Sequence, residues 1–153
     1  MRTFSKLSEF AVTCGTNPLH TKDDFLIKLN KMNMFSKIDL SEAYFQIPLD
    51  EESKKMLVIN TPFALFQYKR LPFAIASPPA IFQRYMESIL SDVPNCVMFL
   101  DDVLISGASF DDYLISLELV LQRLQDNGLI CSVQKCDFFV KEVTYLGHIL
   151  SSK

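Results

Sequence analysis

The sequence predicts an α+β domain, in which an antiparallel sheet has helices packed against one of its faces. Short apolar runs rich in β-branched and aromatic residues end at turn residues, as strands do. Two longer segments carry apolar residues at helical spacing. At 153 residues, with 49% hydrophobic and 22% charged residues, the chain has the length of one domain, or of part of a larger one, and can bury a core.

The first half of the chain predicts one helix and several strands. The helix is expected to begin near Thr21 and to carry its apolar face on to Met32. Residues 35–40 read as a strand, and residues 43–49 follow as a short turn or helix and then an extended segment. Two further strands are expected to pair around Pro62 and Phe63, namely residues 56–59 and 65–68.

The second half predicts two helices separated by a β-hairpin. Ser77-Pro78-Pro79 is a helix start, because proline needs no N–H in the first turn. The hairpin joins the apolar run ending at Phe99 to the run that begins at Val103. A second helix follows from Ser109 or Asp111 and ends at Asn127-Gly128. Extended segments complete the chain, namely residues 129–131, 138–140 and 143–150.

Two adjacent acids occupy the turn of the predicted hairpin, in Phe99-Leu100-Asp101-Asp102. Aspartate is common in turns, since its side chain bonds nearby backbone N–H groups, so a plain turn residue is the first interpretation. Asp39, which ends the strand 35–40, could lie beside this turn. Three carboxylates brought together would repel one another unless cations lay between them. Such a cluster suits a two-metal phosphoryl-transfer site.

Composition narrows the class of protein. The net charge of −3 argues against a self-sufficient nucleic-acid binder, which normally has an excess of Lys and Arg. The sequence has no apolar run near the ~20 residues of a membrane span and no signal peptide at its start, so we expect an intracellular, cytoplasmic protein that is not secreted. The cysteines form no Cys-x-x-Cys pair, which favours free thiols over a zinc site or disulfides; they are Cys14, Cys96, Cys131 and Cys136.

Six blocks of sequence follow one another in a recognisable order. They are Phe35-Ser36-Lys37-Ile38-Asp39-Leu40, then Ala43-Tyr44, then Leu71-Pro72-Phe73 with Ser77-Pro78-Pro79-Ala80-Ile81-Phe82-Gln83, then Phe99-Leu100-Asp101-Asp102, then Lys135-Cys136 with Phe138-Phe139, and finally Tyr145-Leu146-Gly147-His148-Ile149. In these blocks the chain resembles the reverse transcriptase palm of gypsy-type long-terminal-repeat retrotransposons.

The resemblance implies RNA-templated, and also DNA-templated, polymerisation of deoxynucleotides with two Mg²⁺ ions, for which Mn²⁺ could substitute. Asp39 and Asp101 are implied as the bridging metal ligands, with Asp102 as the third catalytic acid. Three aspartates and no histidine match the preference of Mg²⁺ for oxygen. The primer 3′-hydroxyl would attack the α-phosphate of the incoming nucleotide, with the two ions holding the attacking and leaving oxygens in line.

The resemblance also assigns nucleotide and primer contacts. Tyr44 would lie beneath the nucleotide sugar and favour deoxynucleotides, whereas a lone Tyr is by default a core aromatic. Phe73 matches a nucleotide-pocket position, with core packing as the alternative, and Gln83 would face template or nucleotide, or solvent. Leu146, Gly147 and His148 resemble the primer-holding hairpin. Four basic residues could meet phosphates or simply be solvated; they are Lys54, Lys55, Lys69 and Arg70.

The resemblance covers residues 18–151, which we interpret as a partial reverse transcriptase domain made of a fingers remnant and the palm. Residues 1–17 are unmatched, and residues 152–153 are a tail. Two residues depart from the family pattern, with Phe99 standing where Tyr is usual and Ala74 where Gly is usual. The expected partners are a primed RNA or DNA template, deoxynucleoside triphosphates, and the missing fingers, thumb and RNase H portions of a parent polyprotein, with no membrane.

Three functions remain open from the sequence. The first is a reverse transcriptase fragment with intact catalytic acids and doubtful independent activity. The second is a non-catalytic nucleic-acid or protein-binding remnant that keeps the palm as a scaffold. The third is a cysteine-based zinc module. An uncovered apolar palm surface further predicts self-association.

Overall fold

The computed structural model describes residues 32–73 and 78–151. The described chain divides into two compact units, one made of residues 42–73 and 78–82, the other of residues 32–41 and 83–151. Sequence predictions that lie outside the described residues include the helix beginning near Thr21 and the free thiol of Cys14, and the departure from the family pattern at Ala74 also lies there. No helix within residues 32–73 and 78–151 combines the length and apolar character needed to cross a membrane.

The larger unit contains a four-stranded antiparallel sheet. Its strands in chain order are β1 (Met34–Asp39), β4 (Cys96–Phe99), β5 (Asp102–Gly107) and β6 (Asp137–Val140), and their order across the sheet is β4-β5-β1-β6. The strand β1 is therefore central, with β5 on one side and β6 on the other. The predicted antiparallel sheet with helices is confirmed.

Helix α3 (Phe110–Asp126) packs against the face of the sheet that carries Ser36 and Gly107. The Ser36 Oγ and the Tyr113 hydroxyl, both buried, lie 2.5 Å apart, and the Phe139 N–H lies 3.3 Å from each oxygen. Phe139 has φ +57° where the register between β1 and β6 shifts. This hydrogen-bonded group joins α3, β1 and β6 at a β-bulge, which bends the strand locally.

The opposite face of the sheet is covered by a β-hairpin of β7 (Glu142–Tyr145) and β8 (His148–Ser151). Val143 and Tyr145 of the hairpin form an apolar cluster with Phe35, Val97 and Leu104 of the sheet. Residues 143–150 therefore turn back at Leu146-Gly147, where the sequence predicted one extended stretch. The turn falls where two consecutive residues adopt positive φ, which apolar periodicity does not reveal.

The smaller unit contains a 3-10 turn (Ala43–Gln46), helix α1 (Glu51–Met56), and the two-stranded pair β2 (Val58–Asn60) and β3 (Leu65–Gln67). Helix α1 was not predicted. It begins because the Asp50 side chain accepts a hydrogen bond from the Ser53 N–H at 2.8 Å, an N-cap contact that satisfies a free helix-end donor. Helix α2 (Pro78–Leu90) starts at the predicted proline pair and runs from this unit into the larger one.

The strand predicted for residues 129–131 is wrong. After α3, only Cys131 forms an isolated antiparallel bridge, with Leu40. A second hydrogen bond runs from the Ser132 N–H to the Asp39 carbonyl at 2.9 Å. A 3-10 turn (Val133–Lys135) follows at once, so the segment has no room to extend into a strand.

Candidate active site

Asp39 and Asp102 face each other across two neighbouring strands. Asp39 is the last residue of β1, Asp102 is the first residue of β5, and the two are directly paired in the antiparallel register. Directly opposed residues project from the same face of a sheet, with Cβ atoms about 5 Å apart. The two carboxylates that the sequence placed in separate segments thus meet at one end of the sheet.

Asp101 lies in the turn beside this pair. Phe99 pairs with Asp102, so Leu100 and Asp101 form a two-residue connection between β4 and β5. The Leu40 N–H donates to the Asp101 carbonyl at 3.0 Å, which ties the turn to the end of β1. Leu100 has φ +54°, a left-handed conformation that costs a residue other than glycine about 1 kcal/mol or more. The predicted hairpin is confirmed, and its turn is strained.

Two lysines approach the acids. The Lys37 Nζ lies 3.1 Å from Asp102 Oδ2, with both side chains about a quarter exposed. The Lys135 Nζ lies 3.9 Å from Asp39 Oδ1. Burial raises the pKa of the Asp102 carboxyl, Lys37 opposes that rise, and the neighbouring negative charges of Asp101 and Asp39 add to it. The carboxylates are therefore close enough to repel one another.

The donor set fits a hard divalent cation. No three acidic, histidine or cysteine side chains in the described ranges converge into a ready-made metal cage. Mg²⁺ seldom uses such a cage, since it keeps several waters and binds one or two carboxylates together with substrate phosphates. Asp39 and Asp102 on one edge, with Asp101 in the adjoining turn, supply oxygen ligands of this open kind.

Cys136 contacts the backbone of Asp39. Its Sγ accepts a hydrogen bond from the Asp39 N–H at 3.4 Å. Burial raises the pKa of this thiol and raises the pKa of Cys96 to about 12, so both remain thiols at neutral pH. Cys96, Cys131 and Cys136 are free and partly buried.

Gln83 lies on α2 against the hairpin that carries the acids. Its Oε1 accepts a hydrogen bond from the Leu100 N–H at 2.9 Å, and its Nε2 donates to the Met98 carbonyl at 3.3 Å and to Glu87 Oε1 at 2.9 Å. The side chain is buried, with only 9% exposed. Its polar atoms are thus engaged within the protein, whereas the sequence suggested template, nucleotide or solvent.

Tyr44 and Phe73 belong to the smaller unit, where they form an aromatic cluster. The two rings contact edge-to-face with centroids 4.8 Å apart, and Tyr44 contacts Phe82 in the same way at 5.4 Å. Phe45 adds a third such contact, 5.1 Å from Phe73. Phe73 is 59% exposed, so much of its ring faces away from the cluster.

Leu146, Gly147 and His148 form the tip of the β7–β8 hairpin. Leu146 and Gly147 have φ +51° and +78°, and they connect the paired residues Tyr145 and His148. Two consecutive positive φ angles define the tight turn that matches the twist of a hairpin. A Cβ on Gly147 would meet nothing within 4 Å, so the backbone conformation alone accounts for this glycine. His148 is exposed.

Two of the four basic residues for which the sequence left phosphate contact or solvation open have partners within the chain. Lys54 forms an ion pair with Glu51 on α1, and Arg70 donates to the Gln46 carbonyl at 2.8 Å. Lys55 and Lys69 are exposed.

Phe99 stands where the family usually has Tyr. Its partly buried side chain packs against the apolar cluster between the sheet and the β7–β8 hairpin.

Sequence reasoning missed Lys37 and Lys135 as neighbours of the acids. The signal for Lys37 was present, because residues two apart on a strand share a face and Lys37 lies two residues before Asp39. Lys135 had no such signal. Its position depends on the 3-10 turn that brings residues 133–135 back beside β1.

Comparisons with known proteins agree with this architecture. A family model described as reverse transcriptase (RNA-dependent DNA polymerase) matches residues 3–150, and so reaches into the segment 1–17, where the motifs showed no resemblance. The retrovirus-related Pol polyprotein from transposon 297 of Drosophila melanogaster is 37% identical over 150 residues, covering 97% of this chain and 14% of the polyprotein. The enzymatic polyprotein of cauliflower mosaic virus (strain Strasbourg) is 28% identical over 130 residues, covering 84% and 19%.

A solved structure shares the fold. The foamy viral protease-reverse transcriptase in complex with an RNA/DNA hybrid matches with a TM-score of 0.70 and 26% sequence identity, over 80% of this chain and 18% of that one. The chain spans less than a fifth of the length of these relatives. Because the family model covers nearly the whole sequence, the chain belongs to the reverse transcriptase (RNA-dependent DNA polymerase) family.

Proposed function

We propose that this chain provides the catalytic carboxylates for template-directed polymerisation of deoxynucleotides by a two-metal mechanism. The observation that carries the proposal is the register of β1 and β5, which sets Asp39 opposite Asp102 beside the turn containing Asp101. A family member with three acids at one sheet edge is suited to phosphoryl transfer, in which charge stabilisation and positioning supply most of the catalysis.

Asp39 and Asp101 would hold the ions, with Asp102 as the third acid. Two bound Mg²⁺ ions, or Mn²⁺ in their place, would activate the primer hydroxyl and neutralise the triphosphate. The sheet keeps the Asp39 and Asp102 side chains on one face, so little reorganisation is needed. Lys37 offsets the charge of Asp102, which lowers the repulsion among the three carboxylates while they bind a cation.

Nucleotide and primer contacts follow from the family resemblance. Tyr44 would contact the sugar of the nucleotide and favour the deoxy form, and the exposed ring of Phe73 would contribute apolar surface to the same pocket. Leu146, Gly147 and His148 would hold the primer, and an RNA or DNA template would complete the complex. The foamy viral relative was solved with an RNA/DNA hybrid, which supports a nucleic-acid partner.

The metal site is tested by titrating the ¹⁵N-labelled 153-residue chain with Mn²⁺ and recording paramagnetic broadening by NMR. Broadening confined to the surroundings of Asp39, Asp101 and Asp102 is expected, and Asp101→Asn should weaken it. Glu118→Gln, which removes an exposed acid from α3, is the matched control for lost charge. No local broadening at millimolar Mn²⁺ would overturn the metal site.

Polymerisation is tested by extension of a labelled primer on RNA and DNA templates. Extension by the 153-residue chain that vanishes in Asp101→Asn would show that these residues suffice. Metal binding without extension would show a preserved site that draws on further parts of a polyprotein, since the chain spans 14% of the transposon 297 relative.

One observation favours a second function, a non-catalytic scaffold that binds nucleic acid or protein. Lys37 and Lys135 already lie beside Asp102 and Asp39, so two of the three acids have a cationic partner without added ions. Saturable binding of a primed template with the same affinity in the presence and absence of Mg²⁺, together with no metal response at the acids, would favour this scaffold.

A further inference from the structure

Gln83 connects helix α2 to two successive points on the β4 side of the turn that carries Asp101. Its Oε1 accepts from the Leu100 N–H at 2.9 Å, within the turn, and its Nε2 donates to the Met98 carbonyl at 3.3 Å, at the end of β4. The side chain is nine-tenths buried. A buried amide whose donor and acceptor both bond the backbone is held in one orientation, because turning it over would leave two buried polar groups unpaired.

The turn needs such an anchor because it is strained and short. Leu100 has φ +54°, a conformation that persists only where the surroundings impose it. Two hydrogen bonds flank the Asp101 backbone. The Leu100 N–H is bonded to Gln83, and the Asp101 carbonyl accepts from the Leu40 N–H at 3.0 Å. Together these bonds fix the position from which the Asp101 side chain projects.

Glu87 holds the outer end of the same amide. It lies one helical turn after Gln83, and its Oε1 accepts from Gln83 Nε2 at 2.9 Å. Residues four apart on a helix are neighbours, so this contact restricts the rotamer of Gln83 at little cost. The path of contacts runs from Glu87 through Gln83 to Leu100 and so to Asp101.

We propose that Gln83 is a positioning residue for the catalytic turn: it presents the Asp101 carboxylate by holding the Leu100 amide from α2. The part of this inference that concerns metal binding rests on the proposed function. The part that concerns the geometry of the turn does not.

The test substitutes Gln83→Met, which keeps the length of the side chain and removes its hydrogen bonds, in the full 153-residue chain. Gln122→Met is the matched control, because Gln122 makes the same kind of contact four residues along a helix, to Asp126 Oδ1 at 2.8 Å, on the exposed surface of α3. The first measurement is hydrogen exchange at the Leu100 amide, compared with buried amides in the middle of β5. The second is Mn²⁺ affinity.

In Gln83→Met, exchange at Leu100 is expected to become roughly tenfold faster relative to the β5 amides, as the loss of one hydrogen bond predicts. Mn²⁺ affinity is expected to fall several-fold. Gln122→Met should change neither quantity. Exchange at Leu100 that is unchanged against the β5 amides would overturn the proposal. A wild-type chain that binds no Mn²⁺ would instead overturn the proposed function, because exchange requires no metal.

A double variant guards against a general loss of structure. Gln83→Glu combined with Glu87→Gln keeps a hydrogen-bonded pair between the two positions, with donor and acceptor exchanged, and keeps an acceptor for the Leu100 N–H. It is expected to exchange at Leu100 more slowly than Gln83→Met, because the acceptor for the Leu100 N–H is kept, although the buried carboxylate cannot donate to Met98 and faces its carbonyl oxygen. Glu87→Ala, on the exposed surface of α2, is expected to give a smaller acceleration and serves if Gln83→Met does not fold.

Discussion

At the scale of single residues, the chain places like charges together and offsets them with lysines. Lys37 contacts Asp102 from the same face of β1 that carries Asp39. Partly buried pairs of this kind are screened less by salt than exposed ones. Repulsion among the acids remains despite the lysines, since the negative charges of Asp101 and Asp39 contribute to the raised pKa of Asp102. Stability should therefore depend on the protonation of this one carboxyl.

Asp102→Asn is expected to change how stability varies with pH. The pKa of Asp102 is raised in the folded chain, whereas an unfolded Asp titrates near ~3.9. Between these values the folded state keeps a proton that the unfolded state releases, so wild-type stability falls as the pH rises. Relative to Asp102→Asn, the wild type should lose free energy of unfolding from pH 4 to pH 7 in urea denaturation. A difference that is constant with pH would contradict this, and Glu118→Gln on the exposed side of α3 controls for lost charge.

Tyr145→Phe is expected to leave the free energy of unfolding unchanged or to raise it by up to about 1 kcal/mol. The Tyr145 hydroxyl is buried and has no hydrogen-bond partner among the described residues. Its pKa is raised by burial and, to a lesser degree, by the negative charge of Asp102. Removing an unpaired buried hydroxyl removes a desolvation cost and keeps the packing of the ring. A clear loss of stability in urea denaturation would indicate a partner for this hydroxyl.

At the scale of secondary structure, the approach of α3 to β5 depends on the lack of a side chain at Gly107. A Cβ there would lie 2.5 Å from the Tyr113 Cβ and 2.7 Å from the Tyr113 backbone. Backbone atoms cannot rotate away, so any larger residue would push the helix off the sheet. The bond between Tyr113 and Ser36 depends on this contact.

Gly107→Ala is accordingly expected to destabilise the fold by about 1–3 kcal/mol, the usual cost of overpacking a core. Gly128→Ala is the comparison, because Gly128 has φ +67° with nothing within 4 Å of an added Cβ. That variant isolates backbone strain, which costs about 1 kcal/mol. Thermal or urea unfolding measures both. A smaller loss at Gly107 than at Gly128 would mean that α3 can shift without penalty.

The sequence predicted elements whose signal is local and missed those that depend on distant contacts. The predictions of the β4–β5 hairpin and of the start of α2 were correct. Apolar runs and turn acids indicate the hairpin, and the Pro78-Pro79 pair indicates the helix start. The strand expected at residues 129–131 failed because its only pairing is one bridge to Leu40. Helix α1 was missed because its six residues make fewer than two turns, which is too short to show a helical periodicity.

For the candidate site, the order of the motifs was enough to select the three acids. It was not enough to predict which residues contact them. The pairing of Asp39 with Asp102 needed the register of two strands far apart in sequence. The anchoring of Leu100 by Gln83 needed the orientation of α2. Periodicity carries neither kind of information, since it fixes the face of an element and not its partner.

At the scale of the whole molecule, apolar surface on α3 bears on association. Several apolar side chains of this helix are at least a third exposed, namely Phe110, Leu114, Ile115, Leu119 and Leu121. At 100° per residue, Phe110, Leu114 and Leu121 share one exposed strip of the helix, and Ile115 and Leu119 form a second strip. Exposed apolar surface promotes association, so we place the expected self-association on α3.

Ile115→Lys is expected to shift the 153-residue chain toward monomer in sedimentation velocity over a concentration series. Ile115 is 55% exposed, so the substitution removes apolar surface at little cost to the core. Glu118→Gln changes the net charge by the same single unit and keeps the apolar surface, so it should leave association unchanged. A wild-type chain that is monomeric at all concentrations would contradict the prediction.

The central place of β1 in its sheet has a consequence for synthesis of the chain. Both strands that flank β1 are made later, with Asp102 lying about sixty residues beyond its partner Asp39. At ribosomal rates of about 5–20 residues per second, β1 waits several seconds for β5 and longer for β6. During that interval β1, half of whose residues are apolar, has neither β5 nor β6 paired to its edges, which leaves those edges open to other nascent chains. The edges of β1 are thus exposed until the strands that complete the acidic site have been made. We therefore expect folding of the chain during translation to depend on chaperones.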